Sequence, residues 1–154
     1  MDEQTLIAAV SAVEPEVEAR DDVNRPSVRV PLARLLPLLE RLRGDAELSF
    51  DFLLAHTAVD WIEDGRFELL YVLYSTAHGH YLVVATDVPR NAPVVPTASR
   101  IWPIAEWQER EVFDLFGVQY DEHADLRRLF LEDDWKGFPL RKDYKDDYML
   151  ERPQ

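Results

Sequence analysis

Four histidines, a few close carboxylate pairs and one densely charged segment are the places where this sequence could do chemistry. His78-Gly-His80 offers two metal ligands, but no third and fourth stand out, and a glycine-centred turn between strands explains the spacing better. His123 and Asp125 have the residue types of a base and its orienting carboxylate, which would suit a stand-alone hydrolase. The plainer reading makes Asp125 the N-cap of a short helix from Leu126 and His123 a loop residue bonded to backbone. Asp133-Asp134 are neighbours whose side chains point apart, as in a solvated acidic turn rather than a carboxylate dyad. His56 sits in an apolar run and reads as a core or hairpin residue. The 5 scattered glycines cannot assemble a phosphate-cradling loop.

The sequence contains no cysteine, which excludes disulfides, four-cysteine iron–sulfur clusters, thiolate zinc sites and a cysteine nucleophile. Any redox chemistry must therefore be carried by another chain. With 17 Lys+Arg against 30 Asp+Glu, the net charge of −13 repels phosphate backbones and argues against nucleic-acid binding. No apolar run is long enough to span a bilayer, and Met1-Asp-Glu lacks the basic start of a secretory signal, so no direct membrane span is expected. A length of 154 residues at 47% hydrophobic composition suits one folded domain.

Such residues need elements to hold them. Leu6, Ile7, Val10 and Val13 recur at helical spacing up to Glu14-Pro15. The charged stretch 16–25 reads as a short strand and turn. Val28-Arg29-Val30 alternates before Pro31, which opens a helix carrying Leu32, Leu35, Leu36, Leu38, Leu39 and Leu42 and ending near Gly44. Pro37 inside it implies a kink or an earlier boundary. Strands are expected near 58–63, 66–75 and 80–88, turning at Asp64-Gly65 and Gly79, with the apolar run Leu69 to Tyr74 as a central strand. The proline-rich stretch 88–96 should be an extended connection. The expected fold is α+β in two layers, with N-terminal helices on a mixed, largely antiparallel sheet, then a C-terminal helix and an irregular docking arm. Residues 1–101 form the core, and 102–154 the helix and docking segment of the same unit.

The C-terminal third holds all three lysines and three of the four tryptophans. Ile104 to Phe116 fits a helix capped by a left-handed Gly117. At 100° per residue, Ile104, Trp107, Val112, Leu115 and Phe116 share one face, while Glu106, Arg110 and Asp114 run along its flank as a solvated ion-pair row. Glu111 projects into the apolar face between Trp107 and Leu115. It should therefore be either a buried carboxylate paired with Arg127, Arg128, Arg141 or Lys142, in which case Glu111→Lys disrupts folding, or a carboxylate presented to a partner. Gly137-Phe-Pro-Leu-Arg-Lys-Asp-Tyr has neither helical nor strand period and needs a surface to dock on, reading as a protein-interface hot spot.

Three blocks in this region, Trp107-Gln-Glu-Arg-Glu-Val-Phe-Asp-Leu-Phe-Gly117, His123-Ala-Asp125-Leu-Arg-Arg128 and Gly137-Phe-Pro-Leu-Arg-Lys-Asp143, occur in the order and spacing of a known family. Together with His56-Thr-Ala-Val-Asp-Trp61 and Arg66-Phe-Glu-Leu-Leu-Tyr71, they resemble the C, or 30 kDa, subunit family of respiratory complex I, the proton-pumping NADH:quinone oxidoreductase. Ala124 and Phe138 depart from the proline and histidine usual at those places. The resemblance implies a peripheral-arm subunit that holds no cofactor, catalytic site or metal of its own. The FMN, iron–sulfur clusters and quinone would lie in partner subunits. Those partners would be the quinone-site and iron–sulfur subunits, on the cytoplasmic side of a bacterial or archaeal inner membrane. Related subunits serve membrane-bound hydrogenases and complexes fed by other donors. The residues expected at subunit interfaces are Trp107, Glu109, Arg110, Glu111, Asp114, Phe116, Gly117, His123, Asp125, Arg127, Arg128, Pro139, Arg141, Lys142 and Asp143.

Overall fold

A computed structural model describes residues 1–21 and 24–149. Helix α1 (Glu3–Val13) is N-capped by Asp2, whose carboxylate accepts the Thr5 amide at 2.8 Å. Two short strands follow, β1 (Glu18–Ala19) and β2 (Ser27–Arg29), then helix α2 (Leu32–Gly44). Three long strands come next: β3 (Phe52–Trp61), β4 (Arg66–Tyr74) and β5 (Tyr81–Pro89). The C-terminal third contains β6 (Val94–Pro96), helix α3 (Ala105–Phe116) and β7 (Gln119–Asp121). This is an α+β fold with three α-helices among the described residues.

The main sheet has the order β1-β2-β5-β4-β3. Its pairs are antiparallel except β2 with β5, which run parallel. Side-chain alternation puts Phe67, Leu69, Tyr71 and Leu73 of β4 on one face, in register with Val88, Thr86, Val84 and Leu82 of β5. All of these are buried, and they share one core with Leu6 and Val10 of α1, Leu35, Leu38, Leu39 and Leu42 of α2, and Val112 and Phe116 of α3. The opposite face carries half-buried Leu70, Val72 and Tyr74 and an ionic cluster in which Arg29 bridges Glu68 and Asp87. Trp102 ties the C-terminal third to this core, its indole N–H donating to the Phe50 carbonyl at 3.1 Å.

Several boundaries differ from the sequence expectation. β3 begins at Phe52, six residues before the expected strand, because a bulge between Leu53 and Ala55 interrupts its alternation. The stretch 88–96 contributes β6, which pairs in parallel with β7 across a crossover that contains α3. α2 continues through Pro37, and it ends on Gly44 without a left-handed residue: Asp45 is the cap, at φ −72°. In the charged stretch 16–25, β1 occupies Glu18–Ala19, while part of the expected turn lies outside the described residues. No helix forms at Leu126. Gly65 and Gly117 do adopt the left-handed conformation expected of them.

Pro37 is exposed in mid-helix, where it removes an amide and leaves the Ala33 carbonyl without its helical donor. Pro37→Ala should raise stability by about 1–2 kcal/mol, the regained helical bond outweighing the extra freedom of the unfolded chain. Urea denaturation of the purified chain measures this directly.

Candidate functional site

The three motif blocks converge on α3. One side of the helix, formed by Ala105, Glu109, Val112 and Phe116, faces the sheet and is buried. A second side, Arg110 and Asp114, is buried by the chain's own C-terminal residues. The core-facing side is thus rotated by about a quarter turn from the one that hydrophobicity selects. Arg110 and Asp114 are buried rather than members of a solvated ion-pair row. Glu111 is exposed and its side chain makes no hydrogen bond or ion pair among the described residues, so its expected internal pairing does not occur. Trp107, which its spacing puts on the apolar face, is also exposed, whereas Phe116 of that face is buried, packing edge-on against Phe67 at 6.0 Å between centroids.

Asp114 organises the chain after β7. Its Oδ2 accepts the amides of Leu129, Phe130 and Leu131 at 3.1, 2.7 and 3.0 Å, and its Oδ1 accepts Arg128 Nη1 at 2.9 Å. Burial pushes this carboxyl up, but the Arg128 bond and the three amides outweigh it and hold it below the ordinary carboxylate value. Arg128 also donates to the carbonyls of Asp114, Trp135 and Gly137. Arg110 donates to the carbonyls of Arg127 and Arg128, both at 3.1 Å, and its guanidinium lies over the Trp107 ring. A turn with no regular backbone pairing is in this way satisfied by two arginines and one carboxylate.

The last block closes over the other end of the helix. Arg141 donates from Nε to the Phe116 carbonyl at 2.6 Å, and its guanidinium lies about equally close to the Phe67 and Phe138 rings, at 5.1 and 5.0 Å. The Leu140 amide donates to the Leu115 carbonyl, and the Lys142 amide to Asp60 Oδ2 at 2.8 Å. Asp60, on β3, also pairs with Arg90, which reaches Asp143 at 2.5 Å. Gly117 is required twice over. Its φ is +78°, and a Cβ there would meet the Phe138 ring at 2.6 Å and Arg141 Nη2 at 2.8 Å. Pro139 stands within this docked turn, immediately after Phe138.

On the sheet side, Glu109 is fully buried with no lysine or arginine partner among the described residues. It accepts the Ala98 amide at 2.7 Å and the Thr97 hydroxyl at 2.5 Å, and His123 Nε2 stands 3.8 Å away. Burial pushes its carboxyl up to about 7. His123 accepts the Asp125 amide at Nδ1 and donates from Nε2 to the Glu106 carbonyl, so both ring nitrogens are spent on backbone. Asp125 is exposed and pairs with Arg127 rather than with the imidazole. Nearby His56 donates from Nδ1 to the Leu70 carbonyl, accepts the Tyr120 hydroxyl at 2.6 Å and stacks on Tyr71. Burial pushes His56 down to about 4. Sequence reasoning did not find Tyr71, Tyr120 or Thr97 as members of this cluster. His78 and His80 bond to the Ala46 and Leu48 carbonyls, and no group of three metal-ligating side chains occurs among the described residues.

These buried groups have measurable consequences. Asp114→Asn should cost on the order of 3 kcal/mol by leaving Arg128 buried without its counter-charge, and should open the 127–131 turn to trypsin; denaturant titration and limited proteolysis report both. A further consequence concerns pH. Glu109 binds its proton more tightly folded than unfolded, so its contribution is complete below 4.5 and is lost as pH rises to about 7. His56 binds its proton less tightly when folded, so its contribution is complete above 6.5 and is lost as pH falls to about 4. The two oppose each other over one window. Stability between pH 4 and 7 should then rise with pH in Glu109→Gln and fall in His56→Gln, each by up to about 3 kcal/mol relative to the parent. Urea titrations across that range check it, and parallel curves for all three proteins would refute it.

The blocks, the sheet and the helix that carry this arrangement coincide with a known family. The family model of the respiratory-chain NADH dehydrogenase 30 Kd subunit matches residues 28–148. The C subunit of the NADH-quinone oxidoreductase of Moorella thermoacetica is 41% identical over 131 residues, covering 85% of this chain and 87% of that one. Among solved structures, a chain of the membrane-bound sulfane sulfur reductase, an archaeal respiratory membrane complex, superposes with a TM-score of 0.80 at 28% identity, over 92% of this chain and 85% of that one. A trypsin-resistant fragment of Nqo5 superposes with a TM-score of 0.68 at 26% identity, over 82% of this chain and all of that one. From β2 through the arm that Asp114 and Arg141 fasten to α3, this chain belongs to the respiratory-chain NADH dehydrogenase 30 Kd subunit family.

Proposed function

We propose that this chain is the C-type subunit of a proton-translocating NADH:quinone oxidoreductase, with no catalytic activity of its own. It holds the quinone-site and iron–sulfur subunits in register, so that electrons pass from NADH to quinone over fixed distances. The observation that carries this reading is the family match from β2 through the arm, together with relatives named as C subunits of NADH-quinone oxidoreductase. The absence of cysteine from the sequence supports a role by placement, because the chain has no thiolate with which to ligate a cluster. FMN, clusters and quinone then belong to the partners. No helix among the described residues is long and apolar enough to cross a membrane, which suits a peripheral position on the cytoplasmic side of a bacterial or archaeal inner membrane.

Within the role, Glu109, Arg110, Asp114, Phe116, Gly117, His123, Arg128, Pro139, Arg141 and Asp143 act indirectly, by building the α3–arm unit that partners meet. Trp107, Glu111, Asp125, Arg127 and Lys142 are exposed, and on this reading they touch partners directly. A second reading, the equivalent subunit of a complex fed by another donor, is favoured by one observation: the superposition on the sulfane sulfur reductase chain.

Pull-down of the tagged chain from its native membranes separates these readings. Co-purification of a flavin subunit that binds nucleotide, with NADH:quinone activity in the eluate and none in the isolated chain, is the expected result. A nickel-bearing or sulfur-reducing partner would select the second reading, and an eluate without redox subunits would refute both.

A further inference from the structure

α3 has three sides, of which the described residues cover two. The sheet covers the first and the arm the second. The third is a stripe of Ile104, Trp107, Glu111 and Leu115, spaced so that they line up along the helix. Gln108 reaches the Leu54 carbonyl at 3.4 Å, which sets exposed Leu54 on one flank of this stripe. The Leu140 amide bonds the Leu115 carbonyl at 3.0 Å, which sets exposed Leu140 at its end. Trp107 is 54% exposed, Leu140 51%, Ile104 45% and Leu54 40%. Scattered apolar side chains on a surface need no explanation, but a continuous strip with a tryptophan at its centre is the composition of an interface core.

Glu111 identifies what covers the strip. It stands among these apolar groups with no counter-charge among the described residues, although the chain spends arginines freely on carboxylates and carbonyls elsewhere. Covered by an apolar surface alone, that carboxylate would be buried unpaired at a cost of several kcal/mol. Covered by a second copy of this chain, it would meet a molecule that also carries a net charge of −13 and the same stripe. A cationic side chain at the centre of an apolar surface resolves both problems. Resting on the assembly role proposed above, we propose that the outward stripe of α3 docks a partner subunit whose apolar surface carries a lysine or arginine opposite Glu111.

The test introduces Trp107→Ala, Glu111→Lys and the control Glu40→Lys into the full chain expressed with its native complex. Glu40 is an exposed carboxylate on α2, remote in sequence from the stripe. The melting temperature of each purified variant is compared with the parent, and the complex recovered through the tagged chain is quantified. Unchanged melting temperatures, with recovery reduced at least about tenfold for Trp107→Ala and Glu111→Lys but not for Glu40→Lys, are expected. Parental recovery of both stripe variants would overturn the docking face while leaving the assembly role intact. A dimer of the isolated chain by sedimentation that Glu111→Lys abolishes would also overturn it, by making the occupant a second copy. A parent chain that recovers no redox partner would overturn the assembly role and this proposal together.

Discussion

The buried Asp114 carboxylate is the contact on which the C-terminal third depends. Backbone amides in an irregular turn have no ladder to enter, and burying them unpaired is costly. One carboxylate with three amides and a guanidinium around it settles that cost within the chain. Its presence on the outer side of α3 obliges that side to be covered by residues 127–131, and Arg128 in turn fixes the carbonyls of Trp135 and Gly137. The path of the arm back to Gly117 follows. There, a residue without a side chain admits Phe138 and Arg141 to the helix terminus.

This constraint explains why a charged segment is conformationally defined without regular structure. Buried ion pairs are weak sources of net stability, but they select one geometry strongly when every acceptor and donor is matched. The arm leaves Phe130, Trp135 and Leu140 exposed and relies on such matching at Asp114, at the Phe116 carbonyl and at Asp60. What remains of α3 after the sheet and the arm have taken their sides is the apolar stripe around Trp107. A subunit that acts by placement needs a rigid part and a presented part, and the same helix supplies both.

Helices α1 and α2, the central strand β4, the Asp64-Gly65 turn and the Gly117 cap were legible in the sequence because each is set by local periodicity or by a residue's own backbone preference. The start of β3 was not, since its bulge breaks the alternation that would reveal it. The β6–β7 pairing was not, since two three-residue strands that meet across an intervening helix leave no local pattern. The orientation of α3 departs from the sequence expectation for a different reason. Periodicity places the most apolar side inward, and here Glu109, Arg110 and Asp114 are buried while Ile104 and Trp107 face out. No spacing rule predicts that, because the partners of these charges lie in segments up to 18 residues away. The motif blocks pointed to the family, and the structure supplies contacts that tie them together: Arg110 reaches the Arg127 and Arg128 carbonyls, Arg128 the Gly137 carbonyl and Arg141 the Phe116 carbonyl.

The chain holds its own arm, so that docking meets a prebuilt surface. Hydrogen–deuterium exchange of the isolated chain tests this most directly, at the amides of Leu129, Phe130 and Leu131. These lie outside any helix or strand, yet they bond to Asp114 and should exchange slowly, with protection lost in an Asp114 variant. Exchange at these three amides as fast as in an unstructured peptide would contradict a self-held arm.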